Sequence, residues 1–371
     1  MVPVVAVIHA SFHLTHRSRQ RRLPWIVERT LTQRALNRAL LARQLLLERV
    51  TAPIPRALER VCGLQTQYAP SAYVGLWSRL EGFSRGGLTR ALERRRVVQA
   101  TLLRVTIHVV SSGDYWPFTE AIRLERRRWW LKAARRVAVE RDVMAAVARA
   151  RELLADGPRR REDLVKELGI DSTMWNGVGL WLDLVRVPPS GTWDQRSANL
   201  YGLAEDWLGP SDATTEEGLD LLVRRYLGAF GPASRKDMAS FTGLSATTLA
   251  PVFERLSLRR FRDEDGAELL DLPRAPLPDP ETPAPVRFLP TWDATLLVHA
   301  RRSQILPEGH RPRVFDTKTP HSVPTFTVDG QVAGTWRVEH GRVWVEPFQR
   351  LPRTVRREVD DEAEWLTAFH A

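Results

Sequence analysis

Two glutamines two residues apart, Gln65 and Gln67, stand in the segment Gly63-Leu64-Gln65-Thr66-Gln67-Tyr68-Ala69-Pro70. A glutamine side chain is uncharged at every relevant pH, so it is no strong general base. Its carbonyl dipole can orient a water and support developing positive charge, which suffices where the leaving group is already good. At helical spacing the two side chains would diverge by about 200°, so they converge on one pocket only if a helix is ending there or the backbone is extended. Pro70 disfavours helical angles at Ala69, which makes an ending the expectation. The other reading of the pair is a polar helix terminus whose amides cap exposed carbonyls.

Three further groups could meet a ligand. Arg123, Arg126, Arg127, Arg128, Lys132, Arg135 and Arg136 interleave with Trp129 and Trp130, opposed only by Glu125. Phosphate contact is one reading of this run and a solvated helix face is the other. In Leu103-Arg104-Val105-Thr106-Ile107-His108, strand alternation sets Arg104, Thr106 and His108 on one face. That face either borders a ligand groove or holds His108 in a structural hydrogen bond. In the loop Phe315 to His321, Lys318 and His321 either probe a ligand or ornament a surface. The expected nucleic-acid contacts are thus Arg104, His108, Arg126, Arg127, Arg128, Lys132, Lys318 and His321.

These groups belong to a strongly basic chain of 371 residues, with a formal net charge of +11. Of the 55 basic residues 51 are arginine, a bias that alters the type of base without altering the excess of charge. Such an excess points to a polyanionic partner. The single cysteine, Cys62, rules out an intrachain disulfide or a cysteine metal site and fits a reducing cytoplasm; its place on an apolar helix face favours buried packing. No HExxH, Walker loop, strand-borne GxGxxG or GxSxG occurs, so no metal and no cofactor is expected. No apolar run approaches the ~18 residues of a membrane span. Basic residues follow the apolar start instead of preceding it, which argues against a secretory signal. Residues 1–29 read as a disordered leader.

Three segments repeat one order of elements: helices, a turn, a helix, then an apolar β-like stretch. The first covers 30–113, with Thr32 capping a helix to Arg49, Ser71 capping another, and two strands within 97–110. Basic connecting helices follow over 114–155. The second segment, 156–210, places a helix pair around Gly169-Ile170-Asp171 and a wing over 185–201. In the third, 211–272, Ser234 and Ser245 cap successive helices around Gly243, and Asp265-Gly266 closes a hairpin. Helix-turn-helix plus hairpin is a winged helix. A proline-rich linker, 273–285, leads to a β-rich region, 286–371, with hairpin turns at Asp329-Gly330 and His340-Gly341 and a closing helix. The expected class is α+β, helix-rich, with three tandem winged-helix units and a C-terminal β-rich region forming a concave DNA-binding surface.

Taken in order, Gly63-Leu64, Gln65-Thr66-Gln67, Ser71-Ala72-Tyr73, Gly75-Leu76-Trp77, Arg104 to His108, Gly231-Pro232-Ala233, Phe288-Leu289-Pro290 with Asp293, and Val328-Asp329-Gly330 with Gly334-Thr335-Trp336 resemble the bacterial winged-helix DNA glycosylases of the AlkZ-like family. The resemblance spans nearly the whole chain after the leader. Two departures stand: Thr66 replaces the usual aliphatic residue between the glutamines, and Val105 replaces a usual glycine. The resemblance implies that Gln65 and Gln67 are catalytic and that the substrate is duplex DNA with alkylated or crosslinked purines. Its Gln-x-Gln form implies the branch that unhooks azinomycin-type interstrand crosslinks. A monofunctional, monomeric enzyme of the cytoplasm, associated with the nucleoid, is expected. Two other readings remain open on the elements alone: a winged-helix transcriptional regulator and a noncatalytic lesion-binding protein.

Overall fold

The structure, a computed structural model, describes residues 29–135, 140–297, 303–315 and 322–371. The leader up to residue 28 lies outside them, as do Lys318 and His321. The architecture is mixed α+β and helix-rich, in agreement with the expected class.

The chain starts with β1 (Thr30–Leu31) and α1 (Gln33–Arg43), capped by Thr32 Oγ1, which accepts from Ala35 N–H at 3.1 Å. This helix ends six residues before the expected Arg49, because Gln44 leaves the helical region and Leu45 turns to φ 58°. Next come α2 (Ile54–Val61), β2 (Leu64–Gln65), α3 (Pro70–Trp77) and α4 (Arg85–Glu93). Ser71 does not cap α3: the cap is Ala69, itself helical at φ −50° and ψ −44° despite the proline that follows. Pro70 occupies the first helical turn, where a missing N–H has no partner to lose, so it begins the helix. The hairpin β3 (Val97–Thr101) and β4 (Ile107–Ser111) leads directly into the long helix α5 (Ser112–Ala134).

After α6 (Glu140–Leu154) come β5 (Arg159–Arg160), α7 (Arg161–Leu168), α8 (Ser172–Trp181), β6 (Leu184–Arg186) and β7 (Leu200–Leu203). Helix α9 (Ala204–Leu208) precedes α10 (Thr215–Phe230), α11 (Arg235–Thr242), α12 (Ala246–Arg255) and the hairpin β8 (Arg259–Asp263) with β9 (Glu268–Asp271). Ser234 and Ser245 cap α11 and α12 as expected. The last region holds β10 (Arg287–Leu289), α13 (Arg311–Val314), β11 (Thr325–Val328), β12 (Gln331–Glu339), β13 (Arg342–Pro347) and α14 (Arg353–His370).

Strands from the first two segments merge into one six-stranded sheet, ordered β2-β4-β3-β6-β7-β5. The joint is antiparallel β3 against β6, with Gln99 opposite Arg186 and Ala100 opposite Val185. A three-stranded sheet, β1-β8-β9, lets the start of the chain pair in parallel with β8, and a four-stranded antiparallel sheet holds β10 to β13 in sequence order. The main core runs between the β3–β4 hairpin, α5 and α10, joining Val98, Leu102, Phe118, Ile122, Leu222 and Tyr226. Helices α5 and α10 approach so closely that a Cβ on Gly218 would stand 2.3 Å from Pro117 O, which requires glycine there. Two fully buried ion pairs connect distant segments: Arg43 forks onto both oxygens of Asp271 at 2.7 and 2.9 Å, and Arg79 reaches Asp293 at 3.1 Å. Removing one partner of such a pair strands a buried charge.

Candidate active site

Helix α2 ends at Cys62 in the left-handed region (φ 63°, ψ 39°), and Gly63 follows at φ 76°. The second of these needs glycine: a Cβ on Gly63 would lie 2.9 Å from Val110 Cγ1. The double turn swings the chain out of the helix and onto the edge of β4, where Leu64 faces Val109 and Gln65 faces His108. Thr66 N–H extends the ladder by donating to Ile107 O at 2.8 Å. Gln65 therefore lies on a strand, and Gln67 follows in the bend that leads into α3.

Gln65 is buried to 8% exposure and its Oε1 accepts from Arg104 Nη2 at 2.8 Å. Gln67 is exposed, and its Oε1 accepts from Ile107 N–H at 3.0 Å. Both partners can only donate, which fixes the sense of each amide. Each oxygen keeps a second lone pair for a water.

Gln67, Arg104, Val105 and Ile107 line a cleft of about 680 Å³ together with Trp129, Trp130, Arg161, Trp175 and Asn176 from α5, α7 and α8. A second cleft, lined by Arg104, Val105, Glu125, Trp129 and Ser245, lies across Arg104, Val105 and Trp129, which border both. Among the described residues no carboxylate and no lysine lines the first cleft.

The structure divides the expected DNA contacts. Arg104 does not lie on a strand face beside Thr106 and His108, because a 3₁₀ turn over Leu103–Val105 interrupts the alternation before β4 begins. Its guanidinium is turned inward, and burial pulls its pKa down to about 10. His108 is buried at 2% exposure, with Nδ1 against Thr106 O at 3.0 Å. Burial first, and then the Arg104 charge, depress its pKa to about 3, so it is neutral and out of reach of a phosphate. Its expected place among the contacts is corrected accordingly. Arg126 is likewise buried, reaching Thr101 O at 3.3 Å and Asp183 at 3.4 Å. Arg127 donates to the carbonyls of Leu180 and Trp181 at 3.1 and 3.2 Å, closing the end of α8. Arg123 forks onto Asp183 at 3.0 and 3.1 Å. These arginines fasten α5 to the second segment. Arg128 and Lys132 are exposed and form no ion pair among the described residues.

Arg161, Asn176 and Trp175 went unremarked in the sequence, although they line the cleft. They come from elements about 100 residues beyond the glutamines, and none carries a motif. Trp129 and Trp130 are the parts of that wall the basic run did contain, Trp130 buried and Trp129 57% exposed. No described helix is long and apolar enough to cross a membrane.

Similarity to known proteins gives this geometry its class. The DNA glycosylase AlkZ of Streptomyces sahachiroi shares the fold with a TM-score of 0.76, at 19% sequence identity over 92% of this chain and 97% of that one. The architecture is thus one on which a DNA glycosylase is built. The family model described as DNA glycosylase AlkZ-like matches residues 58–369, and the chain belongs to that family. It is a DNA glycosylase, which sets aside the regulator and the noncatalytic binder. No curated protein matches the chain.

Proposed function

We propose that this enzyme is a monofunctional glycosylase for N7-alkylated purines, that it unhooks interstrand crosslinks of azinomycin-type agents, and that it serves DNA repair and antibiotic self-resistance. The observation that carries the reading is the pair of neutral amides whose oxygens are each fixed by a donor, with Gln67 on a cleft whose described lining holds no carboxylate and no lysine. Alkylation at N7 makes the purine cationic. When its bond from N9 to the sugar C1′ breaks, the electron pair goes to N9 and neutralises the base, so no acid is needed to protonate it. The sugar gains oxocarbenium character, and a water adds its oxygen to C1′ and gives up a proton to solvent.

Gln65 and Gln67 supply the two things this reaction still requires. Their second lone pairs accept the hydrogens of a water and so aim its oxygen at C1′, and their carbonyl dipoles favour the positive charge growing there. The described residues that line the cleft include no lysine to serve as a Schiff-base nucleophile, in keeping with a hydrolase. A base tied to both strands cannot be flipped fully into a tight pocket. The three helix-turn-helix and hairpin segments, read as tandem winged helices over 30–113, 156–210 and 211–272, would offer an open concave surface to such a duplex, bound by a monomer largely through phosphates. Duplex carrying one N7-methylguanine, and duplex carrying one azinomycin-type crosslink, test the reading. Release of free base from the first and separation of the strands of the second are expected. An intact glycosidic bond in both would refute it.

A further inference from the structure

The tip of the β3–β4 hairpin holds two successive non-glycine residues in the left-handed region, Arg104 at φ 54° and Val105 at φ 57°. Such angles are rare for any side chain and more so for a β-branched one. The turn is closed by Val105 N–H on Leu102 O at 3.0 Å and Thr106 N–H on Leu103 O at 3.1 Å. Within it the Arg104 side chain runs inward. Nη2 donates to Gln65 Oε1 at 2.8 Å, Nη1 donates to Phe241 O, and the guanidinium lies 5.0 Å from the Phe241 ring centroid. No carboxylate pairs with it among the described residues. The desolvated cation is therefore anchored at one side by a carbonyl and a ring of α11, and its other terminal nitrogen is spent on the glutamine.

We propose that Arg104 is a positioning residue for base excision, acting through Gln65. A guanidinium has no acceptor, so a flipped Gln65 amide would set donor against donor. Arg104 thereby holds Oε1 in place and directs its remaining lone pair. Ile107 N–H imposes the same sense on Gln67 from the backbone, so the two oxygens are fixed by independent donors. The inference rests on the reading that the glutamines place the water. It differs from a phosphate-contact role for Arg104, in which the arginine would act on DNA directly.

A double-mutant cycle separates the two. Single-turnover release of N7-methylguanine and DNA affinity at two salt concentrations are measured for the unaltered enzyme, Arg104→Ala, Gln65→Ala and the double variant. Arg104→Ala is expected to slow release about 10²-fold, the scale of a misplaced catalytic group. Its affinity for DNA should stay within about twofold, and adding it to Gln65→Ala should change release by no more than about twofold. Arg104→Lys, which keeps a donor, should recover about tenfold of the loss. Should Arg104→Ala not fold, the same cycle with Arg104→Lys carries the test, with a loss in the Gln65 background of the unaltered enzyme and none in Gln65→Ala. Losses that multiply in the double variant overturn the inference, as does a loss confined to affinity with the salt slope reduced by about one. Undiminished release by Gln65→Ala would overturn the proposed function together with it.

Discussion

Ile107 meets the glutamine segment twice: its carbonyl accepts from Thr66 N–H at 2.8 Å, and its N–H donates to Gln67 Oε1 at 3.0 Å. One residue of β4 thus fixes both the backbone and the side chain of the pair. The contact of Gln67 is made by an exposed side chain, so shortening it leaves the core untouched. Gln65→Ala and Gln67→Ala are each expected to lower single-turnover excision by about 10²- to 10³-fold, as for loss of one oriented dipole. DNA affinity, read by fluorescence anisotropy, should remain. A variant that loses affinity in proportion to rate would show the amides to be binding groups instead.

The arginines of α5 sort by burial into two kinds of effect. Lys132→Ala and Arg128→Ala should weaken binding to any duplex and each lower the slope of log affinity against log salt by about one. Arg126→Ala should instead destabilise the fold by about 2 to 4 kcal/mol, because it removes a buried cation from Asp183 and leaves Thr101 O without that donor. Urea denaturation of the three variants, set beside salt titrations, checks the division.

Trp129 is exposed and lines both clefts, the first of them together with Gln67. A ring held there can stack on an unpaired base or on the planar part of a bulky lesion. Trp129→Ala should reduce affinity for lesion-bearing DNA by about 1 to 3 kcal/mol, the usual range for a stacking residue. Trp129→Phe should restore most of it. Equal affinities of all three proteins would remove the ring from the binding surface.

The depressed pKa of His108 makes stability depend on pH in a definite direction. The unfolded chain takes up a proton near the ordinary pKa of 6.5, while the folded protein holds His108 neutral down to about 3. Between these values the unfolded state binds more protons, so stability falls as pH falls, by about 1.4 kcal/mol per pH unit for one histidine. From pH 7 to pH 5 the cost is about 2 kcal/mol, and above pH 7 this contribution is flat. His370, whose pKa burial lowers to about 4, adds in the same sense. His108→Gln should be less stable at pH 7, yet lose less on acidification. A slope equal to that of the unaltered protein would mean that His108 is protonated in the fold.

Local chemistry explains which parts of the fold could be read directly. Ser234 and Ser245 cap the helices they precede, and Asp263 N–H with Ala267 O closes the hairpin announced by Asp265-Gly266. Each of these depends on a few neighbouring residues. Ser71 and Pro70 misled for the same reason: their local preference is real, but the packing of α3 against β10 and the entry from β2 decided where the helix begins. Alternation failed at Arg104 because a turn of two left-handed residues at Arg104 and Val105, one of them β-branched, has no sequence signature.

What the sequence by itself determined is the class of the enzyme: an ordered series of short matches, a basic surface and two neutral amides that can serve only a leaving group already primed to depart. What only the tertiary structure decided is how those amides are held. The strand that pairs with Gln65 and donates to Gln67 comes from about 40 residues downstream, the guanidinium that orients Gln65 is anchored by Phe241, and Asp183 takes up two of the cations that the basic run seemed to offer to DNA. Each is a pairing between residues far apart in the chain, where geometry and desolvation choose the partner, and neither quantity is written in the spacing of the residues.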